Sequence, residues 1–381
     1  MLLILTPNID PESAVYRQLL AHLGSLENIQ LRVHREQGVE QTLTEIYLIG
    51  NTAAVSLDHM RSLPGVERAV RVSEEYRVIG RHKGDQRDSH FDYQGVRFGQ
   101  DTLHVFAGLC AVDTPANVEL TFRALSDHGQ VCTRMGAYKP RTSPYSFQGH
   151  GKACLQYVFE LAGKYGIKVI AMEVTHESHI QEIQEALDDT GKPTGVMLQI
   201  GTRNTQNFEL LKIVGRQHEF PVLLKRGFGI TLDESLHAAE YLASEGNRKI
   251  IFGLRGMKTN IGEPHRNFVD FAHVPVVKRL TRMPVCVDPS HSVGYRTTGP
   301  EGILDVMHAT AQGVIAGANM VLVDFHPEPA QALVDGPQAL KLEELSHFLE
   351  DVQVAREAYE KRMALAERYG TRADVPALIT N

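Results

Sequence analysis

The chain has 381 residues, a formal net charge of −7, 43% hydrophobic residues and 22% charged residues. This length exceeds what one small domain needs, and the composition is that of a globular protein able to bury a core. The dispersed acidic charge argues against nucleic acid as the main partner, because phosphate backbones recruit concentrated lysine and arginine.

The chain start and the cysteines indicate a reduced compartment. Residues 1–7 lack the basic segment and the apolar length of a signal peptide, and no apolar stretch approaches the length of a membrane span. The four cysteines, Cys110, Cys132, Cys154 and Cys286, show neither CxxC nor disulfide spacing. We therefore expect a cytoplasmic protein with no membrane partner, in which each cysteine is core filler or a reactive or metal-binding thiol.

Residues 1–75 predict a βαββαβ unit, the pattern of a small ferredoxin-like α+β domain. The predicted strands cover residues 2–6, 30–34, 45–49 and 67–72, and the predicted helices cover 11–26 and 58–63. Such a unit either stabilises the rest of the chain as a cap or binds a regulatory ligand. Residues 76–101 are polar and of mixed charge, and we interpret them as a linker followed by a hairpin around 91–98.

Short apolar segments alternate with helical stretches through residues 102–345. The eight predicted strands cover residues 103–109, 131–135, 168–172, 195–200, 221–224, 249–254, 284–287 and 319–323. This pattern predicts a catalytic (β/α)8 TIM barrel, for which about 250 residues is the usual size. A doubly wound open sheet is less favoured, because no glycine-rich phosphate turn follows the first strand. Residues 346–381 are expected to form a C-terminal helix and tail.

Basic residues lie at or just after the carboxyl ends of several predicted strands, where a barrel opens its catalytic face. They are Arg134, Lys139, Arg203, Lys225 and Arg255. Each cation alone is explained equally well by a solvated or ion-paired position at the rim. Their recurrence in an acidic chain favours an anionic substrate with phosphate and carboxylate groups.

A second group of strand-end residues has the chemistry of metal ligands. Cys110, His291, Asp324 and Asp335 offer a thiolate, an imidazole and two carboxylates, which suit a divalent ion such as Mn, Fe, Co or Zn. Spacing alone does not distinguish a metal site from structural roles for these residues. A strand-end cysteine is often buried filler, and Asp335 stands in a turn-like Asp-Gly-Pro sequence.

The local sequences at these positions form an ordered set of motifs. They are Lys139-Pro140-Arg141-Thr142-Ser143, Gly201-Thr202-Arg203, Leu224-Lys225-Arg226-Gly227, Asp288-Pro289-Ser290-His291, His326-Pro327-Glu328-Pro329 and Asp335-Gly336-Pro337. Together they resemble the type I 3-deoxy-D-arabino-heptulosonate 7-phosphate (DAHP) synthase family over the whole barrel. The N-terminal unit resembles the ferredoxin-like regulatory domain of one branch of that family.

The resemblance implies a metal-dependent transferase that condenses phosphoenolpyruvate with erythrose 4-phosphate, the first step of the shikimate pathway in aromatic amino acid biosynthesis. It assigns phosphoenolpyruvate to Arg134, Lys139, Arg203, Lys225 and Arg255, and the aldose phosphate to Arg141, Thr142 and Ser143. It assigns the metal to Cys110, His291, Asp324 and Asp335, and catalysis to Lys139, Cys110 and His291, with Lys139 as an acid/base group. It also implies a homo-oligomer with an aromatic amino acid as effector.

Several positions depart from the family pattern, among them Leu254, which precedes Arg255 where one branch of the family has an acidic residue. Leu109 and Ala111 flank Cys110 where the family has Pro and Ser, and Asp324 stands where it has Glu. Two alternatives therefore stay open: a paralogue that uses another aldose phosphate, as octulosonate synthases do, or a non-catalytic metabolite-sensing homologue. The retained substrate cations oppose the second alternative.

Overall fold

The computed structural model describes residues 1–38, 41–50, 52, 55–71, 76–82 and 88–370. The chain divides into two compact units, Met1–Arg77 and Val78–Asn381. Within the described residues, the structure contains no helix with the length and apolar character needed to cross a membrane.

The first unit is a four-stranded antiparallel sheet with two helices. In chain order it comprises β1 (Leu2–Leu5), α1 (Ala14–Gly24), β2 (Ile29–Gln37), β3 (Thr42–Gly50), α2 (Leu57–Ser62) and β4 (Val66–Val70). Both helices begin at a serine, Ser13 or Ser56, whose side chain accepts a backbone N–H from the first turn. The strand order β2-β3-β1-β4 confirms the ferredoxin-like prediction. Val72, at the end of the last predicted strand, lies outside the described residues.

The second unit contains the predicted barrel. Its strands are β7 (His104–Leu109), β8 (Cys132–Met135), β9 (Val169–Val174), β10 (Gly195–Ile200), β11 (Val222–Lys225), β12 (Ile250–Leu254), β13 (Val285–Val287) and β14 (Met320–His326). Successive strands pair in parallel, and β14 pairs with both β13 and β7, which closes the cylinder. The (β/α)8 prediction is confirmed.

Helices follow the barrel strands along the chain. They are α3 (Pro115–Asp127), α4 (Lys152–Lys164), α5 (Ser178–Asp189), α6 (Phe208–Arg216), α7 (Leu232–Ser244), α8 (Val274–Leu280), α9 (Pro289–Val293), α10 (Asp305–Ile315) and α11 (Leu345–Arg368). Every residue of β9 and β10 is buried, which explains why each strand is apolar except for one residue, Glu173 or Gln199.

A hairpin of β5 (Phe91–Tyr93) and β6 (Val96–Phe98) precedes the barrel. Phe91 and Phe98 share one buried cluster with Phe106, Val169 and Met320, which lie in the first half of their strands. The hairpin therefore packs toward the amino ends of the strands and leaves the carboxyl ends for the site. The described part of the predicted linker also contacts the barrel, since the Arg81 N–H donates to the Leu280 carbonyl at 3.1 Å.

Two boundaries differ from the sequence prediction. Strand β14 continues to His326, so that Asp324 lies inside the strand rather than after it. A short strand that was not predicted, β15 (Leu340–Lys341), pairs in parallel with the end of β14, and the C-terminal helix begins at Leu345, one residue before the predicted start. The pairing of β15 with Phe325 and His326 extends β14 beyond its apolar segment.

Candidate active site

A cavity of about 270 Å³ opens at the carboxyl ends of the barrel strands. Predicted site residues in its wall are Lys139, Arg141, Thr142, Ser143, Arg203, Lys225, Arg255, His291 and Asp335, joined by Glu173 and Arg266. The fold thus brings side chains from widely separated strands to one place. Cys110 and Asp324 are buried next to this wall and contact its residues, and the buried Arg134 contacts both of them.

Cys110, His291 and Asp335 converge on one point. The Cys110 Sγ atom lies 3.9 Å from His291 Nε2 and 3.3 Å from Asp335 Oδ2, and the last two atoms are 3.5 Å apart. Donors bonded to one ion at about 2.0–2.3 Å are themselves separated by about 3–4 Å. Ligand atoms of Asp324, Cys110 and His291 all lie within 4.8 Å of one another. The donor set and its spacing therefore fit a divalent transition metal.

Asp324 is also engaged by two other side chains. One carboxylate oxygen accepts from Arg134 Nη1 and the other from Gln338 Nε2, and Asp324 is fully buried. Burial would lower the pKa of Arg134, but the charges of Asp324 and Cys110 outweigh it and raise that pKa. Arg134 is therefore a permanent cation in contact with Asp324 and Cys110, two of the proposed metal ligands. Its predicted contact with substrate stays a prediction.

Asp288 orients the imidazole of His291. Asp288 follows β13, and its Oδ1 accepts the His291 backbone N–H at 3.1 Å and lies 3.0 Å from the ring Nδ1. Lys225 donates to the other oxygen at 2.7 Å. Burial would lower the pKa of His291, but Asp288 and Asp324 raise it to about 10. The contact at Nδ1 leaves Nε2 facing Cys110, an arrangement common behind metal-binding histidines.

Lys139 reaches the same cluster from the loop after β8. Its Nζ donates to the Cys110 carbonyl at 3.0 Å and lies 3.4 Å from Cys110 Sγ and 3.7 Å from Glu173 Oε2. Burial would lower the pKa of Lys139, but Cys110 and Glu173 raise it, so the ammonium stays protonated near neutral pH. Gly149 allows this loop to return, because at its φ of +94° a Cβ would lie 2.1 Å from the Ala137 carbonyl oxygen.

Arg255 is a buried cation with a spare donor. It is 2% exposed, and its Nη1 atom has no hydrogen-bond partner among the described residues. Burial lowers the pKa of Arg255 to about 10, helped by the nearby charges of Arg266 and Arg203. An unsatisfied guanidinium group in the wall of a cavity is suited to a bound anion, since the anion would supply both charge and acceptors.

Arg266 is a site residue that the sequence analysis missed. Its Nη1 donates to Asp335 Oδ1 at 3.2 Å and to Gln338 Oε1 at 2.8 Å. It lies in the loop between β12 and α8 rather than directly after a strand, so strand-end reasoning passed over it. The available signal was the length of that loop, because long irregular loops in compact domains are commonly functional.

Both units of the chain are similar to known proteins. Residues 78–361 match the model of the DAHP synthetase I family, and residues 1–74 match the DAHP synthase ferredoxin-like domain. A phospho-2-dehydro-3-deoxyheptonate aldolase of Thermotoga maritima is 37% identical over 332 residues, covering 87% of this chain and 92% of that protein. A crystal structure of the DAHP synthase of the same organism superposes with a TM-score of 0.75 at 34% identity, covering 97% of this chain and 98% of that one.

A more distant relative acts in a different named reaction. A 2-dehydro-3-deoxyphosphooctonate aldolase of Acidithiobacillus ferrooxidans is 27% identical over 270 residues, which cover 67% of this chain and 89% of that protein.

Proposed function

Because the chain belongs to the DAHP synthetase I family, we propose that it condenses phosphoenolpyruvate with erythrose 4-phosphate and releases inorganic phosphate. The observation that carries this proposal is the convergence of Lys139, Arg203, Lys225 and Arg255 on one cavity of an acidic protein. Phosphoenolpyruvate is a multiply charged anion, and forked guanidinium groups suit its phosphate and carboxylate.

In this proposal, Arg203, Lys225 and Arg255 bind phosphoenolpyruvate, with Arg134 as a further cation near it. The unpartnered Nη1 atom of Arg255 gains an acceptor when the anion binds. Fixed positive charges around the enolpyruvate lower the cost of charge rearrangement as its C3 attacks the aldehyde carbon, water adds at C2, and phosphate leaves.

Arg141, Thr142 and Ser143 are proposed to bind the phosphate of the aldose. They occupy the stretch after Lys139 and share the cavity wall with it. Arg203 donates to Thr142 Oγ1 at 3.3 Å, which joins the two proposed anion sites at one edge. This placement would orient the aldehyde end toward Lys139 and Cys110.

Lys139 acts as a proton donor in the proposed reaction. Its raised pKa keeps the ammonium protonated, so it begins as an acid and can protonate the aldehyde oxygen as the carbon–carbon bond forms. Cys110, His291, Asp324 and Asp335 would hold a divalent ion, Mn, Fe, Co or Zn, whose chemistry is to polarise that aldehyde as a Lewis acid. Asp288 orients His291 for this role.

The second candidate is a condensation of phosphoenolpyruvate with a five-carbon aldose phosphate. The likeness to the octonate aldolase and the altered Leu109, Ala111 and Asp324 favour it. A competition experiment separates the two, with equal concentrations of erythrose 4-phosphate and arabinose 5-phosphate and mass analysis of the product. We expect a seven-carbon sugar acid phosphate, and a predominant eight-carbon product would establish the second candidate.

The first unit is proposed to bind an aromatic amino acid as an effector. Its match to the DAHP synthase ferredoxin-like domain supports this role. Its described residues contribute none of the predicted substrate or metal ligands, which all lie beyond residue 109.

A further inference from the structure

Three cationic side chains lie around one aromatic ring, that of Phe228, at the edge of the cavity. Phe228 follows β11, and its ring centroid lies 4.8 Å from Cζ of Arg255, 5.3 Å from Cζ of Arg203 and 5.9 Å from Nζ of Lys258. Arg255 is buried, Phe228 is half-buried, and Arg203 and Lys258 are exposed. The ring therefore links the buried cation of the wall to the exposed cations at the rim.

The three positive charges around Phe228 must be stabilised by neighbouring groups. Burial of Arg255 removes its hydration, and the nearby positive charge of Arg203 disfavours the Arg255 cation further. In the part of the chain that the structure describes, no salt bridge joins a carboxylate to Arg203, Arg255 or Lys258. The charges of Asp288 and Asp270 oppose this destabilisation of Arg255 only in part, and the Phe228 ring is the group that lies next to all three cations.

The face of a phenyl ring stabilises nearby positive charge differently from a carboxylate. The ring carries negative charge density on its face, which attracts a nearby ammonium or guanidinium group. A carboxylate in the same place would also attract the cations, but it would occupy their N–H donors. A ring attracts the charge without accepting conventional hydrogen bonds, so the N–H groups stay available for a ligand.

We propose that Phe228 is a positioning residue for the anion site, whose ring holds Arg203 and Arg255 convergent while leaving their N–H donors for the substrate. This inference rests on the proposed function in one respect, since it takes phosphoenolpyruvate as the anion. Lys258 lies over the same ring and, because it is exposed, extends the positive charge toward solvent.

The test replaces Phe228 by mono-, di- and trifluorinated phenylalanine in the full-length protein. These side chains keep nearly the same size and apolar area while fluorine withdraws electron density from the ring face. Calorimetry without aldose gives the dissociation constant of phosphoenolpyruvate. We expect it to rise stepwise with fluorination, reaching about a three- to tenfold increase, and Phe228→Leu to show an increase of that size or larger. The Michaelis constant for the aldose should change much less.

Phe208 provides a matched control. It is 40% exposed at the start of α6, where its ring stacks on Tyr241 with centroids 4.7 Å apart. Phe208→Leu should leave phosphoenolpyruvate binding unchanged. If Phe228→Leu weakens binding while the fluorinated series stays flat, the ring acts by excluding water, and the proposed role is overturned.

The two possible failures can be told apart. If the unmodified protein does not bind phosphoenolpyruvate, the proposed function fails and the ligand of this inference fails with it. If the protein binds phosphoenolpyruvate and neither fluorination nor Phe228→Leu changes the dissociation constant, the proposed function stands and the role of Phe228 is overturned.

Discussion

Arg134 donates to Asp324 inside the barrel, and the side chains of this ion pair are only 3% and 0% exposed. The pair joins a residue of β8 to a residue of β14, with Cys110 Sγ only 3.6 Å from Arg134 Nη2. Asp324 thus has two connections, one to a buried cation and one to the proposed metal ligands. The ion pair with Arg134 therefore gives Asp324 a structural role in addition to its proposed role as a metal ligand.

Removal of Asp324 should destabilise the fold as well as the metal site. Asp324→Ala leaves the Arg134 guanidinium buried without its partner, and we expect a loss of about 3–5 kcal/mol in the free energy of unfolding. Denaturant unfolding of the metal-free protein measures this. Asp92→Ala, at an exposed position of the hairpin, is the control and should change stability little. Equal stability of the two variants would contradict a structural role for the pair.

Cys110→Ser should abolish activity through loss of metal. A serine hydroxyl is a far poorer ligand than a thiolate, so bound Mn, Co or Zn should fall by more than about tenfold after dialysis. Cys154→Ser is the matched control, since Cys154 is buried on α4 and donates to the Gly151 carbonyl, a contact that serine can keep. Full activity after exhaustive chelation, with metal shown to be absent, would refute the metal assignment.

Arg255→Met should separate stability from substrate binding. The substitution removes a buried cation that lacks a salt bridge in the described structure, so the unfolding temperature should stay the same or rise. The Michaelis constant for phosphoenolpyruvate should increase about tenfold to a hundredfold, because a charge-assisted contact is lost. Arg141→Ala should instead raise the constant for the aldose phosphate. Equal effects of both variants on both substrates would contradict the division of the cavity.

A variant that begins at Val78 should keep its turnover and lose any inhibition by tyrosine or phenylalanine. Residues 78–101 are retained because Arg81 and Ser89 donate backbone hydrogen bonds to Leu280 and Arg282 in the barrel unit. Steady-state rates with and without the amino acids test this, and a coupling of the usual size would weaken substrate binding by the full-length enzyme about 5- to 150-fold when the amino acid is bound. Indifference of the full-length enzyme to both amino acids would rule out this regulation, and failure of the shortened chain to fold would favour a stabilising cap.

The barrel and the ferredoxin-like unit could be predicted because their strands follow simple local rules. Buried parallel strands such as β10 are mostly apolar, and strand-end position pointed to residues such as Lys225 and His291. The strand β14 was harder, because Asp324 and His326 interrupt the apolar sequence. They remain in the strand because of long-range partners: Asp324 bonds to Arg134 and Gln338, and His326 Nε2 lies 2.6 Å from Asp113 Oδ2.

Residues in irregular loops escaped prediction for a related reason. Arg266 reaches Asp335 only through the path of a long loop, and no periodic pattern in the sequence encodes that path. Phe228 looked like an ordinary apolar residue after a strand, since its neighbours Arg203 and Lys258 come from other loops. Contacts between distant loops depend on the closed barrel, which brings the strand ends together.

The most direct test of the proposed condensation is the rate of phosphate release from phosphoenolpyruvate by metal-loaded enzyme, measured without an aldose, with erythrose 4-phosphate and with arabinose 5-phosphate. We expect negligible release without an aldose and rapid release with erythrose 4-phosphate, in amounts equal to the phosphoenolpyruvate and aldose consumed. Release that does not depend on any aldose, or no release with either sugar when the metal sites are full, would contradict it.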